Sequence, residues 1–281
     1  MSGGTSELGA WGGDKVKRKH RIVRAWSEVR SREQVAEETF WLELTAPGIA
    51  AQAAPGQFVM IGFGATSWGS PFLPRPNSIA AVRGDVIGLL VRVYGAGSRR
   101  LSALRPGDSI LTLGPLGSRY EIGDATSVLC VAGGVGLAPF LLLPNWAKGV
   151  GKPVDIRLLY GERTGKAVFN QEKIRKLSGL DAEVWTEDGS VGRRGRVTEG
   201  LVLEDVDLVL TCGPTPMLKT VRNMTRDAGV PCQIAVEEHM ACGMGTCIGC
   251  VIETVDPETG LEGYSLVCVD GPVFSAERLR W

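Results

Sequence analysis

Hydrophobic and polar residues alternate in short segments along the first part of the chain. Gly- and Pro-containing stretches separate these segments, which span residues 22–29, 39–44, 57–61, 86–93 and 109–113. Alternation with a period of two, repeated about every ten residues without long helical stretches, is typical of short antiparallel strands. We therefore predict a small antiparallel β-barrel over residues 21–125.

The pattern changes near residue 127, where compact apolar runs begin to alternate with helix-like stretches. Strands are expected at residues 128–132, 155–160, 182–185 and 207–212, and helices at 137–146 and 169–177. Strands and helices that alternate at this spacing favour a parallel sheet with helices on its faces. We predict such an α/β domain over residues 126–232.

The two ends of the chain have a different character. Residues 233–281 are too few to build an ordinary hydrophobic core, so a bound metal centre would help to explain how they fold. Residues 1–20 begin with a Gly/Ser-rich stretch and are expected to form a disordered leader. They lack the apolar core of a signal peptide, and no apolar run in the chain is long enough to cross a membrane.

Charge and composition narrow the range of partners. The 281 residues include 31 Lys and Arg against 31 Asp and Glu, so no overall field favours nucleic acid or an anionic membrane. Residues 231–281 carry two arginines and eight carboxylates, which suits a module that docks on a protein partner. We expect a cytoplasmic protein, where thiols stay reduced, so the seven cysteines point to a metal site before disulfides.

Four of these cysteines form the most specific pattern in the sequence. Cys242, Cys247 and Cys250 follow the spacing C-x4-C-x2-C, and Cys268 lies further on. Three clustered thiolates with a distant fourth are the spacing of plant-type [2Fe–2S] sites. The alternative is a structural zinc site, although zinc ligands usually form two separated cysteine pairs.

Two glycine turns are candidates for nucleotide binding. Gly133, Gly134 and Gly136 follow the first apolar strand of the α/β region, and Cys212-Gly213-Pro214 follows a later strand. Turns at the carboxyl edge of a parallel sheet are where such folds bind ligands, and a helix that starts there attracts phosphate. Each turn alone is equally compatible with simple chain reversal.

The barrel region contains a candidate diphosphate clamp. Arg75-Pro76-Asn77-Ser78 enters a strand, while Arg92 precedes the Gly- and Ser-containing stretch at residues 95–100. An arginine beside a Gly–Ser turn can bind diphosphate oxygens in pairs. A solvated surface arginine in a hairpin loop remains the alternative.

These motifs occur in the order found in the ferredoxin-NADP reductase superfamily. The chain carries R-P-x-S at residues 75–78, G-S at 97–98, G-P-L-G at 114–117, G-G-V-G at 133–136 and C-G-P at 212–214. The end of the chain is more specific, because residues 238–250 and 268–274 resemble the electron-transfer subunit of class 1B dihydroorotate dehydrogenase. Ser98 stands where this family usually has threonine, and Asn77 is polar where a small or apolar residue is usual.

The resemblance implies three modules: an FAD-binding barrel, an NAD-binding α/β domain and a C-terminal [2Fe–2S] domain over residues 233–281. Cys242, Cys247, Cys250 and Cys268 would hold the iron. The residues implied for FAD and NAD binding are Arg75, Pro76, Asn77, Ser78, Val91, Arg92, Val93, Gly97, Ser98, Gly133, Gly134, Gly136, Cys212, Gly213 and Pro214. Glu162 would disfavour a phosphate on the NAD ribose, whereas Arg163, Arg193 and Arg194 could bind one.

The implied activity is electron transfer without an acid–base residue of its own. A nicotinamide exchanges two electrons as a hydride and the cluster holds one, so a flavin is needed between them. The expected partner is an FMN-bound, barrel-shaped dihydroorotate dehydrogenase subunit, with two copies of each chain in a heterotetramer. The alternatives are an NAD(P)H–ferredoxin reductase or sulfhydrogenase-type subunit, and a zinc-bearing interaction subunit without enzyme activity.

Overall fold

The structure is a computed structural model that describes residues 20–62 and 72–281. Apart from His20, the predicted leader therefore lies outside the described residues. Six antiparallel strands form a closed barrel in the order β1-β2-β5-β4-β3-β6. The strands are β1 (Val23–Ala36), β2 (Thr39–Thr45), β3 (Phe58–Gly62), β4 (Arg75–Arg83), β5 (Val86–Arg92) and β6 (Ser109–Leu116), with short helices α1 (Pro47–Ala50) and α2 (Ala96–Ser102).

Strand β2 shows how the alternating pattern builds the barrel. Phe40, Leu42 and Leu44 are buried in the barrel core. Trp41 lies on the opposite face of the strand because successive side chains alternate. It packs outside the barrel, with its ring 6.2 Å from that of Phe169 in the second domain.

A seven-stranded sheet follows, in the order β10-β9-β8-β7-β11-β12-β15. All of its strand pairs are parallel except β12–β15. The elements up to β12 are β7 (Ser127–Gly133), α3 (Ala138–Gly149), β8 (Asp155–Glu162), α4 (Gln171–Ser178), β9 (Ala182–Thr186), β10 (Arg193–Arg194), β11 (Leu208–Cys212), α5 (Thr215–Ala228) and β12 (Cys232–Ala235).

Helix α3 is apolar on most of its surface because it lies between the barrel and the sheet. Leu142 packs with the barrel core, whereas Phe140 and Leu141 belong to the core on the sheet side. Tyr120, in the segment that connects the domains, stacks on Phe140 and donates a hydrogen bond to the carbonyl of Thr211 at 2.8 Å. The two domains therefore share a continuous buried contact.

The C-terminal segment contains β13 (Val251–Val255), β14 (Glu262–Leu266) and β15 (Val273–Ser275). Strands β13 and β14 form a hairpin, whereas β15 adds to the edge of the large sheet beside β12. Ser118 also holds this segment. Its amide donates to the carbonyl of Gly271 at 2.5 Å, and its hydroxyl contacts the backbone of Val273 at 3.0 Å.

The barrel, the parallel sheet and the two predicted helices confirm the expected fold class. The sequence pattern did not reveal helix α5, whose buried residues are limited to Leu218, Val221 and Thr225. It also did not reveal β12 to β15. Strand β12 crosses the expected limit between residues 232 and 233, and β15 joins a sheet that belongs mostly to the preceding domain.

Candidate functional site

The cysteine loop lies between β12 and β13, and Cys268 lies in the turn between β14 and β15. Cys250 and Cys268 are buried, Cys242 is half-buried and Cys247 is exposed. The loop reverses direction tightly at Gly243, where the φ angle is +72°. An L-residue rarely adopts this conformation, so glycine suits the position.

The four cysteines form two pairs, each joined by a hydrogen bond from a backbone amide to a thiol. The amides of Met244 and Cys247 each donate to Sγ of Cys242 at 3.4 Å, and the amide of Cys268 donates to Sγ of Cys250 at 3.4 Å. Backbone donors therefore already point at the sulfur atoms.

These contacts change the acidity of the thiols in opposite directions. Burial tends to raise the pKa of Cys242, but the hydrogen bonds from Met244 and Cys247 outweigh it and lower the pKa to about 6. Burial and the neighbouring Cys250 raise the pKa of Cys268 to about 12.

The four cysteines match the ligand set of a [2Fe–2S] cluster. Across residues 20–62 and 72–281, no three His, Cys, Asp or Glu side chains lie close enough together to hold a metal ion. A [2Fe–2S] cluster takes four cysteines, two for each iron. Cys242 with Cys247 and Cys250 with Cys268 provide that set of ligands.

The cysteine loop packs directly on the barrel strand beside the predicted flavin motif. A Cβ atom added to Gly243 would lie 2.4 Å from Cγ of Met60 and 3.2 Å from Leu116. The backbone of Met60 on β3 is paired with Pro76 on β4. One buried side chain therefore separates the cysteine loop from the predicted flavin-binding strand.

The predicted diphosphate clamp is brought together by β4 and α2. The guanidinium group of Arg75 lies over Gly97, where an added Cβ atom would be 2.5 Å from Nε. The hydroxyl of Ser98 accepts hydrogen bonds from the amides of Tyr94 and Gly95 at 2.8 and 3.1 Å. A cation from β4 beside a hydroxyl and a glycine backbone from α2 fits the chemistry of a diphosphate.

The remaining predicted flavin residues lie on β4, on β5 and directly after β5. Asn77 donates to the carbonyl of Arg75 at 3.0 Å, and Ser78 pairs with Phe58. Val91 is buried, and the amide of Val93 donates a hydrogen bond to the backbone carbonyl of Glu38 at 2.7 Å. Arg92 behaves differently, because its guanidinium group extends into the second domain and pairs with Glu162.

The two predicted nucleotide turns contact each other at the carboxyl edge of the parallel sheet. A Cβ atom added to Gly136 would lie 2.3 Å from the carbonyl oxygen of Cys212, and one added to Gly133 would lie 2.7 Å from Pro214. An added Cβ on Gly213 would approach the amide nitrogen of Gly133 to 2.9 Å. The close packing of these glycines holds the two turns together at the edge where parallel α/β sheets bind ligands.

Glu237, two residues after the end of β12, was not among the predicted site residues. The thiol of Cys212 is buried and its pKa is raised, first by burial and then by the charge of Glu237. Glu237 is accessible to solvent, yet the surrounding protein raises the pKa of its carboxyl group. Arg92 and Glu162 lie beside Gly134 of the first turn. Glu237 belongs to none of the sequence motifs, so only the structure could have identified it.

A cavity of about 870 Å³ lies away from the two glycine turns. Its lining includes Leu208 and Cys232 at the amino-terminal ends of β11 and β12, and it contains none of the four paired cysteines or the predicted nucleotide turns. The contacts between the motifs therefore locate the candidate site better than cavity size does. In the described part of the chain, no helix has the length and apolar character needed to span a bilayer.

Comparison with known proteins agrees with this arrangement. Residues 237–280 match the family described as the iron-sulfur cluster binding domain of dihydroorotate dehydrogenase B. One similar solved structure is described as an NADH-dependent reduced ferredoxin-NADP oxidoreductase, in a study of flavin-based electron bifurcation. It superposes with a TM-score of 0.77 at 28% identity, over 92% of this chain and 90% of that one. A ferredoxin NADP+ reductase from Neisseria gonorrhoeae with bound FAD and NADP shares the fold, with a TM-score of 0.62 at 17% identity over 73% of this chain and 92% of that one.

Relatives that match nearly the whole chain establish the family. The dihydroorotate dehydrogenase B (NAD(+)) electron transfer subunit of Caldanaerobacter subterraneus subsp. tengcongensis is 38% identical over 255 residues, which are 90% of this chain and 97% of the relative. The corresponding subunit of Bacillus pumilus is 34% identical over 265 residues, covering 92% and 98%. The chain therefore belongs to the family of dihydroorotate dehydrogenase B (NAD(+)) electron transfer subunits.

Proposed function

We propose that this chain carries electrons from a dihydroorotate dehydrogenase catalytic subunit to NAD+, through a [2Fe–2S] cluster and FAD, in pyrimidine biosynthesis. The observation that carries the proposal is the packing of the paired-cysteine loop on Met60, whose backbone pairs with Pro76. This contact puts the ligands of a one-electron centre beside a predicted flavin strand.

The work is divided among three parts of the chain. Residues 21–125 hold FAD, residues 126–232 hold NAD, and residues 233–281 hold the cluster on Cys242, Cys247, Cys250 and Cys268. A flavin exchanges electrons singly or in pairs, and so connects a hydride carrier to an iron–sulfur cluster.

The side chains of the protein bind and orient these groups. Arg75 and Ser98, with the backbone of Gly97, hold the diphosphate of FAD, while residues 76–78 and 91–93 line the flavin. The turns at residues 133–136 and 212–214 hold NAD at the edge of the sheet. No acid–base residue is required for hydride exchange between the two cofactors, and none is assigned.

The catalytic partner is an FMN-bound barrel subunit, and two copies of each chain form a heterotetramer in the cytoplasm. The C-terminal module supports docking on another protein, because it is strongly acidic and exposes Met244 and Ile248 around the cysteine loop. Dihydroorotate chemistry then belongs to the partner.

The test compares the isolated chain with the complex. Purified anaerobically, the chain should contain FAD, iron and acid-labile sulfide, and NADH should reduce a dye through it, whereas dihydroorotate should not. Added catalytic subunit should allow dihydroorotate to reduce NAD+. Absence of iron and sulfide, or oxidation of dihydroorotate by this chain alone, would refute the proposal.

A cysteine substitution separates the two halves of the electron path. Cys247→Ser should remove most of the cluster, so that dihydroorotate-dependent NAD+ reduction falls at least about tenfold while NADH still reduces the flavin. Cys232→Ser is the matched control, since Cys232 lies outside the two thiol pairs. The Cys232→Ser variant should retain its iron and accept electrons from the partner at the wild-type rate.

A ferredoxin-linked reductase is the second candidate, favoured by the structural similarity to the NADH-dependent reduced ferredoxin-NADP oxidoreductase. Isolation of the native complex distinguishes the two functions. Co-purification with an FMN-bound barrel subunit supports the dihydroorotate function, whereas NADPH-dependent reduction of ferredoxin without such a subunit supports the alternative.

A further inference from the structure

The ion pair between Arg92 and Glu162 joins the barrel to the nucleotide domain. Arg92 is the last residue of β5, and Glu162 is the last residue of β8. Their side chains are 16% and 4% exposed. Every other ion pair found within residues 20–62 and 72–281 has at least one side chain that is more than half exposed.

Each partner is also anchored within its own domain. Nε of Arg92 donates to the hydroxyl of Thr39 on β2 at 3.2 Å. Oε1 of Glu162 accepts a second hydrogen bond from the hydroxyl of Tyr160 at 3.0 Å, and that hydroxyl accepts from the amide of Phe169 at 3.2 Å. An ion pair held at both ends has one preferred geometry, so it can transmit the position of one domain to the other.

The charges are mutually compensated. Burial alone would lower the pKa of Arg92, but the hydrogen bond and the charge of Glu162 raise it. Both Arg92 and Tyr160 donate to the same oxygen, Oε1, of the Glu162 carboxylate.

The pair lies between the two predicted cofactor segments. A Cβ atom added to Gly134 would lie 3.1 Å from Nη1 of Arg92 and 3.9 Å from Oε1 of Glu162, so the pair packs beneath the predicted dinucleotide turn. Arg92 also leads directly into the Tyr94–Ser98 stretch.

We propose that Arg92 and Glu162 are positioning residues that set the distance between the flavin-binding segment and the dinucleotide turn, and thereby the alignment for hydride exchange. This inference rests on the proposed function. Hydride exchange requires reacting atoms held at close contact, so a small shift between the two segments reduces the rate even when both cofactors remain bound.

The test uses Glu162→Gln, which keeps the size of the side chain but removes its charge, and Arg92→Lys, which keeps the charge but loses the bond from Nε to Thr39. Asp181→Asn is the matched control, because it breaks the exposed ion pair with Arg175 within the same domain. Flavin reduction at saturating NADH should slow at least about tenfold in each of the first two variants, with the NADH dissociation constant within about threefold of wild type.

A second measurement does not depend on the reaction. Amide hydrogen exchange should be faster in Glu162→Gln, and unchanged in Asp181→Asn, in peptides that cover residues 92–98 and 133–137. FAD content and the electron paramagnetic resonance signal of the cluster should match wild type in Glu162→Gln and Asp181→Asn.

The outcomes are distinguishable. Rates within about twofold of wild type in both variants would overturn the positioning role. A slower rate that is fully accounted for by lost FAD or by weaker NADH binding would also overturn it. Wild-type protein that NADH does not reduce would instead refute the proposed function.

Discussion

The contact between the two nucleotide turns makes Gly136 the most sensitive position in the predicted NAD site. In Gly136→Ala, the new methyl group would lie 2.3 Å from the carbonyl oxygen of Cys212, about 1.1 Å closer than the 3.4 Å at which ordinary contact begins. The neighbouring atoms belong to the backbone of Cys212 and Gly213, so no side chain can rotate away. One turn must move by roughly 1 Å relative to the other.

This displacement has two expected consequences. Overpacking of this kind costs about 1–3 kcal/mol, which lowers the melting temperature by several degrees. A misplacement of about 1 Å in a substrate-positioning turn reduces the rate of the reaction by up to about 100-fold. Flavin reduction by NADH should therefore fall much further than stability, while the iron content stays constant because the cysteine loop is elsewhere.

Stopped-flow reduction of the flavin across a series of NADH concentrations measures both the affinity and the rate. Gly149→Ala is the matched control, since Gly149 ends helix α3 and an added Cβ atom would contact nothing within 4 Å. Alanine is a better helix former, so this control should melt at the same temperature or slightly higher with normal reduction. Gly136→Ala protein with wild-type affinity and rate would refute the assignment of these turns to NAD.

Two further predictions concern the cysteine loop and the acid stability of the sheet. Gly243→Ala should lower the iron and sulfide content, because alanine is disfavoured at a φ of +72° by about 1–2 kcal/mol and its methyl group would meet Met60. Adding Met60→Ala should restore part of the loss, and no restoration would show that the contact is unimportant. Hydrogen bonds from Thr126 and Ser127 lower the pKa of the Asp207 carboxyl group. The ionised carboxylate therefore stabilises the fold fully above the ordinary carboxyl pKa of about 4, and this contribution is lost as the pH falls through the lowered pKa. Asp207→Asn should therefore lower the melting temperature at pH 7 and flatten its decline in acid, and an unchanged acid-side slope would contradict this.

The sequence alone determined the class of each part of the molecule. Alternation at residues 39–44 predicted β2, and the apolar run at 128–132 predicted the parallel strand β7, because local periodicity reports which face of an element is buried. The C-x4-C-x2-C spacing likewise predicted a cluster loop, since ligand spacing follows from the reach of a short turn.

Only the tertiary structure decided which of these parts touch. The packing of Gly243 on Met60, the pairing of Arg92 with Glu162, and the addition of β15 to the sheet beside β12 all join residues far apart in the chain. A periodic pattern describes one element at a time, whereas these contacts depend on how the barrel, the sheet and the cysteine module pack together. The alignment of two cofactor sites is a property of that packing, so it could not be read from any single motif.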